Sequence, residues 1–188
     1  VWTYGFVNRV RGIEHEVIGR NKTFWSGERY LRRDDKLIKL EFPEDAYMSL
    51  IADWLMLDLK SPYSVAEKIY PTGVLLAIKL ESFLKGERNF DVLFEPSERT
   101  VLSSWMVTKN YLVLNVSANL ERKLYTLKFE NNTWQKQELD SPVKGTLNLW
   151  VEDDENSDNF FLEGSDYLTP SSLFYGNAET RTFEKLKQ

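Results

Sequence analysis

Apolar runs five to eight residues long, many of them alternating with polar positions, recur along most of the chain: 37–42 LIKLEF, 54–60 WLMLDLK, 73–80 GVLLAIKL, 90–95 FDVLFE, 100–107 TVLSSWMV, 111–117 YLVLNVS, 123–129 KLYTLKF, 146–151 TLNLWV, 159–163 NFFLE and 172–176 SLFYG. These lengths and this β-branched and aromatic content predict strands. Between them stand turn formers such as Arg33-Asp34-Asp35-Lys36, Lys109-Asn110, Glu130-Asn131-Asn132-Thr133 and Gly176-Asn177. Helical spacing is scarce. Only 64–69 SVAEKI and 81–87 ESFLKGE predict a turn or two of helix, so the pattern is that of a nearly all-β chain.

The strand groups end alike, at Leu40-Glu41-Phe42-Pro43, Leu93-Phe94-Glu95-Pro96 and Leu139-Asp140-Ser141-Pro142. Proline has no N–H for a ladder, so it suits the position just past a strand. The intervals between these prolines are 53 and 46 residues, and a further step of 46 lands on Gln188. A period near this length holding about four strands is that of a propeller blade. The expected blades are 1–43, 46–96, 98–142 and 144–188, with the clearest meander over 98–140. A β-sandwich has similar strand lengths and is the competing architecture. The Gly-His and Trp-Asp pattern of WD repeats is absent from the sequence.

Composition narrows the classes. The 188 residues are 42% hydrophobic, 14% aromatic and 28% charged, a globular balance with room for one or two domains. Net charge is −5, with nine Lys/Arg and five Asp/Glu in residues 1–40 and the acidic excess in the remainder. That distribution argues against nucleic acid, whose phosphates need a concentrated cationic face. With no Cys in the sequence, disulfides, thiolate zinc sites and Cys nucleophiles are excluded. The start, VWTYGFVNRV, has no signal-peptide pattern, and no apolar run approaches the length of a membrane span. A soluble chain is expected, with the compartment open between cytoplasm and periplasm. The first residue is Val, and the expectation is a segment of a longer protein.

The stretches 70–86 YPTGVLLAIKLESFLKG and 91–104 DVLFEPSERTVLSS resemble the latter half of the non-catalytic propeller of prolyl oligopeptidase family serine peptidases. Similar features are 54–62 WLMLDLKSP, Trp134 shortly before Gln137 and Glu138, 168–175 LTPSSLFY and the closing 183–188 FEKLKQ. The order and spacing of these segments across 46–188 carry the likeness, while YLVLNVSANL at 111–120 is a loose match. The resemblance implies a seven-bladed propeller, of which this chain supplies about four blades. It also implies a partner α/β-hydrolase domain in the same parent chain, following in sequence, and short peptides as substrates.

Candidate chemistry is sparse. A Ser-His-Asp hydrolase presents its serine in a G-x-S-x-G turn, which the sequence lacks; Glu163-Gly164-Ser165-Asp166 comes nearest and reads as a turn between strands. The one histidine, His15, lies between Glu14 and Glu16; these carboxylates could hold its proton, but without a nucleophile motif it reads as an exposed strand or loop residue. The run 152–158 EDDENSD offers oxygen ligands for Ca²⁺ but lacks the EF-hand pattern and reads as a solvated hairpin tip. A glycosidase carboxylate pair needs a separation that sequence does not reveal. Asn21, Asn115 and Asn131 head Asn-x-Ser/Thr triplets, and Asn115 falls in an expected central strand. Arg29, Arg32, Arg33, Lys36 and Lys39, interrupted by Glu28, Asp34 and Asp35, read as solvated charge, the alternative being contact with the hydrolase or another blade. The sequence therefore leads to no catalytic, cofactor or metal residue, and the resemblance implies a gating propeller of a serine oligopeptidase. The alternative is a stand-alone β-propeller module binding protein or peptide. Four blades cannot close a seven-bladed ring, so the uncovered blade edges of the fragment invite self-association.

Overall fold

The computed structural model of the chain describes residues 1–119 and 121–187. Leu120, inside the third expected meander, and Gln188, on which the 46-residue step lands, lie outside the described residues. The chain divides into two compact units, Val1–Glu95 and Pro96–Gln188.

In the first unit, β1 (Trp2–Val10), β2 (Ile13–Asn21), β3 (Gly27–Arg33) and β4 (Lys36–Lys39) form an antiparallel meander in chain order. Its tight turns, Arg11-Gly12 and Asp34-Asp35, hold both central residues at positive φ, as the right-handed twist of a two-residue hairpin requires. A second sheet begins with β5 (Tyr47–Ile51) and β6 (Trp54–Asp58), and a separate hairpin of β7 (Tyr63–Val65) and β8 (Lys68–Tyr70) follows. The sheet is completed by β9 (Leu75–Lys79), the short helix α1 (Leu80–Leu84) and β10 (Asp91–Phe94).

The two sheets share one core. Val17, Leu31 and Leu40 meet Leu50, Leu55, Leu57, Leu59 and Leu76. Fully burying each such side chain contributes about 1.5–3 kcal/mol. Alternation explains the sidedness: His15, Val17 and Gly19 turn inward from β2 while Glu14, Glu16 and Arg20 turn out. The aromatic ring of Tyr4 occupies the space that a Cβ at Gly19 would need, so glycine there lets the first strand lay its aromatic flat on the second.

The helix expected at 81–87 exists, starting one residue earlier, with Leu80 and Phe83 buried. The helix expected at 64–69 does not. Those residues form the β7–β8 hairpin, with Ala66 and Glu67 at positive φ. Ala, Glu and Lys favour helix locally, but extended strands let Tyr63, Val65 and Tyr70 pack onto the leucine core. Phe90 meets Tyr70 edge-on at 5.8 Å.

In the second unit, β11 (Thr100–Val107), β12 (Leu112–Ala118), β13 (Glu121–Glu130) and β14 (Thr133–Leu139) form one meander. A second consists of β15 (Thr146–Trp150), β16 (Asn159–Ser165), β17 (Ser172–Asn177) and β18 (Thr182–Lys187). Val113, Leu124 and Leu139 of the first pack against Leu147, Phe160, Leu162 and Phe174 of the second. Gly176 makes room for the rings of Phe160 and Phe183, which meet edge-to-face at 5.7 Å. On the opposite face of the last sheet, Trp150 stacks on Phe161 at 5.6 Å and Phe161 meets Tyr175 at 5.2 Å. Each four-stranded sheet is built from strands taken in chain order, with none lent to a neighbour. That excludes the Greek-key exchange of a sandwich and leaves successive blades.

Candidate functional site

His15 is buried at 8% exposure, which corrects its expected surface position. Its Nε2 donates to the carbonyl of Ala52 at 2.7 Å, and beside it Asn8 Nδ2 donates to the Leu50 carbonyl at 2.6 Å. Both side chains leave the first sheet and land on backbone of the second around the β5–β6 turn. The flanking carboxylates do not serve the histidine: Glu14 pairs with Arg9 and Glu16 with Arg32 across the sheet. An open cleft of about 620 Å³ runs past His15, Glu16, Arg32 and Arg33, and none of the residues lining it is Ser, Thr or Cys. The geometry makes His15 a tether between sheets.

The basic cluster is largely solvated, as expected, with Arg32, Lys36 and Lys39 exposed and Arg29 and Arg33 half-buried, but several of its charges are paired. Arg32 pairs with Asp35 at 2.8 Å, and Lys39 with Glu28 at 3.1 Å. Arg33 reaches Glu81 on α1 at 2.6 Å, so this member meets the next sheet. Arg29 donates to Asn21 and lies 5.6 Å over the Tyr4 ring. Glu28 collects Lys39, Lys22, Arg20 and the Tyr30 hydroxyl. The ammonium of Lys39 is the chief reason its carboxyl is lowered from 4.5 to about 2, with Lys22 and Tyr30 adding to it.

Gly164 and Ser165 close strand β16, and Asp166 caps the turn that follows. Its carboxylate accepts the backbone N–H of Leu168 at 2.9 Å and of Thr169 at 2.7 Å. These backbone donors, Leu168 first, hold it below the usual carboxylate range. The acidic run 152–158 departs from a purely solvated tip at its last residue. Asp158 is buried and accepts Thr108 Oγ1 at 2.8 Å, the Asn110 backbone N–H at 2.7 Å and Asn110 Nδ2 at 2.7 Å. At the other end of the run, Asp153 accepts the N–H groups of Glu155 and Asn156. Among the described residues, no three His, Asp or Glu side chains are grouped to hold a metal ion. Asn115 is buried in β12, its amide donating to Ser104 Oγ and the Leu147 carbonyl, which leaves no access for a glycan. No helix among the described residues is long and apolar enough to cross a membrane.

One feature had no signal in the periodicity. Thr23 Oγ1 accepts the N–H groups of Trp25 at 3.1 Å and Ser26 at 3.0 Å, while Thr23 N–H donates to the Ser26 carbonyl. Asp166 repeats this arrangement with Leu168 and Thr169, and Asp166 N–H donates to the Thr169 carbonyl. Each turn thus holds two large side chains outward, Phe24-Trp25 after β2 and Tyr167-Leu168 after β16. Phe24 and Trp25 also border a cleft of about 250 Å³ with Arg29, Tyr47 and Lys60.

Residues 66–188 match the family described as prolyl oligopeptidase, N-terminal beta-propeller domain. An uncharacterised peptidase of Sinorhizobium fredii is 32% identical over 131 residues, covering 68% of this chain and 18% of the relative. The chain therefore spans about a fifth of the length of the curated relatives it matches. Among solved structures, a post-proline cleaving enzyme from Rickettsia typhi superposes with a TM-score of 0.79 at 19% identity, over 93% of this chain and 26% of that one. The closed form of oligopeptidase B from Trypanosoma brucei, with covalently bound antipain, gives 0.63 at 13% identity over 98% and 27%.

Proposed function

The chain belongs to the prolyl oligopeptidase family, within its N-terminal β-propeller domain, and from that premise we propose that it gates a serine peptidase without supplying its catalytic side chains. The four sheets are in this reading consecutive blades with limits near 1–43, 46–96, 98–142 and 144–188. The observation that carries the proposal is the family match across 66–188. Blades around a narrow opening admit extended short peptides and reject folded proteins, and movement against the hydrolase sets access. The Trypanosoma brucei neighbour, a closed form with covalently bound antipain, supports a site of that kind. The partner is the α/β-hydrolase domain of the longer chain, with a G-x-S-x-G serine and later Asp and His. Short peptides, and neither nucleic acid nor membrane, are the expected ligands of the whole protein. The isolated piece is expected to self-associate through uncovered faces such as that of Trp150, Phe161 and Tyr175.

The test is the full-length gene product, incubated with peptides of graded length and with a folded protein containing the same cleavable segment. Labelling by a serine-directed fluorophosphonate, cleavage of the short peptides and survival of the folded protein are expected. An open reading frame without a serine hydrolase segment, or equal cleavage of peptide and folded protein, removes the proposal.

A further inference from the structure

In each four-stranded meander, the connection from second to third strand lies at the end where the first strand begins. Tyr167, Leu168, Phe24, Trp25 and Ile69 are each at least 74% exposed, and all five occupy such connections; among the described residues only the terminal Val1 matches them. Isolated exposed apolar side chains are ordinary, but here they recur in pairs at one structural position. The supporting turns are the same in both units: a Thr or Asp side chain caps the N–H groups two and three residues on. At the opposite strand ends the same side-chain capping occurs at Asp153 and Asn177. There it brackets Asp154-Glu155 and Ala178-Glu179. One turn device is therefore used at both ends, and only one end is loaded with large apolar residues.

We propose that these two turns are docking elements for the hydrolase domain of the same longer chain, with Phe24, Trp25, Tyr167 and Leu168 buried on closure. The assignment rests on the gating function proposed above, and it adds which residues meet the partner. The occupant follows from length: solved neighbours extend over a chain of which this one covers 26%, so most of the longer protein is free to cover these tips. A turn locked by side-chain caps loses little entropy on docking, and paired large apolar residues suit an interface that must both seal and release.

The experiment uses the full-length enzyme with Phe24→Ser/Trp25→Ser, Tyr167→Ser/Leu168→Ser and, as control, Asp154→Ser/Glu155→Ser. Small-angle scattering reads the ratio of closed to open forms, and fluorophosphonate labelling reports the hydrolase. Each apolar double variant is expected to shift the closed-to-open ratio about tenfold toward open, to speed proteolysis between domains and to admit longer peptides, with the control unchanged. If a double variant melts early, single Trp25→Ser and Leu168→Ser carry the same readout. Unchanged closure in well-folded variants overturns the assignment. So does loss of a concentration-dependent dimer without change in closure, which identifies a second copy as occupant, or a raised KM alone, which identifies the peptide. Absence of any hydrolase labelling in the unmodified enzyme overturns the gating function itself, a result distinguishable from all of these.

Discussion

The two units solve one problem, sealing a pair of four-stranded meanders, with different chemistry. The first uses aliphatic side chains, Leu31, Leu50, Leu55, Leu57 and Leu76, and fastens the sheets with side-chain N–H donors on backbone carbonyls, Asn8 on Leu50 and His15 on Ala52. The second uses the rings of Phe160, Phe174 and Phe183 and a single buried carboxylate, Asp158, that gathers Thr108 and Asn110. Apolar area supplies most of the attraction in both and is indifferent to small slips. The directional polar contacts tie defined points of one sheet to the next, and each unit places them beside a turn.

The largest effect should come from hollowing either core. Phe160→Ala should cost about 3–5 kcal/mol and Leu55→Ala about 2–5 kcal/mol, read as lower urea midpoints. Equal and small losses would mean that the ring-based and leucine-based seals are not the sources of stability.

Next in size is Asp158→Ala, which removes the carboxylate shared by the Thr108 hydroxyl and the two Asn110 donors and should cost about 1–3 kcal/mol. Amide exchange at Asn110 should accelerate, and Asp158→Asn should recover part of the protection. Replacing Ala66-Glu67 by Asn-Gly should stabilise the β7–β8 hairpin by about 1 kcal/mol, since both positions hold positive φ; a fall in thermal midpoint would contradict that turn.

The smallest change concerns acid. The Glu28 carboxyl is lowered from 4.5 to about 2 in the fold, so its contribution is present above pH 4.5 and is lost as pH falls toward 2. Glu28→Gln should flatten the decline of stability across that window and leave the second unit's buried contacts unaltered. A variant whose acid profile overlays the parent's would show that the cluster of Lys22, Arg20 and Lys39 does not depend on this charge.

Much of the strand pattern was legible because alternation leaves a local trace. The run 100–107 coincides with β11, and 54–60, 123–129 and 172–176 differ from β6, β13 and β17 only at their ends. Strands β1 and β2 were harder to read, since Gly5, His15 and Gly19 interrupt the apolar face. Residues 64–69 misled because helix propensity is local while the packing of Tyr63 and Tyr70 is not. His15 misled for a related reason: its partner, the Ala52 carbonyl, lies 37 positions away. The turns bearing Phe24-Trp25 and Tyr167-Leu168 share no sequence motif beyond a capping Thr or Asp, so their equivalence emerges only from hydrogen bonding.

The amino-acid order by itself determined the all-β class and the four-strand grouping, because period-two alternation and proline spacing are properties of the chain taken in order; the family likeness rested separately on particular segments such as 70–86 and 91–104. Tertiary structure alone decided which polar residues became buried fasteners and which apolar ones were left outward. That choice depends on what a neighbouring sheet brings within hydrogen-bond or packing distance. Asp158 and Tyr167 illustrate both outcomes: a charged residue in an acidic run drawn inside, and an aromatic beside a strand held out in water.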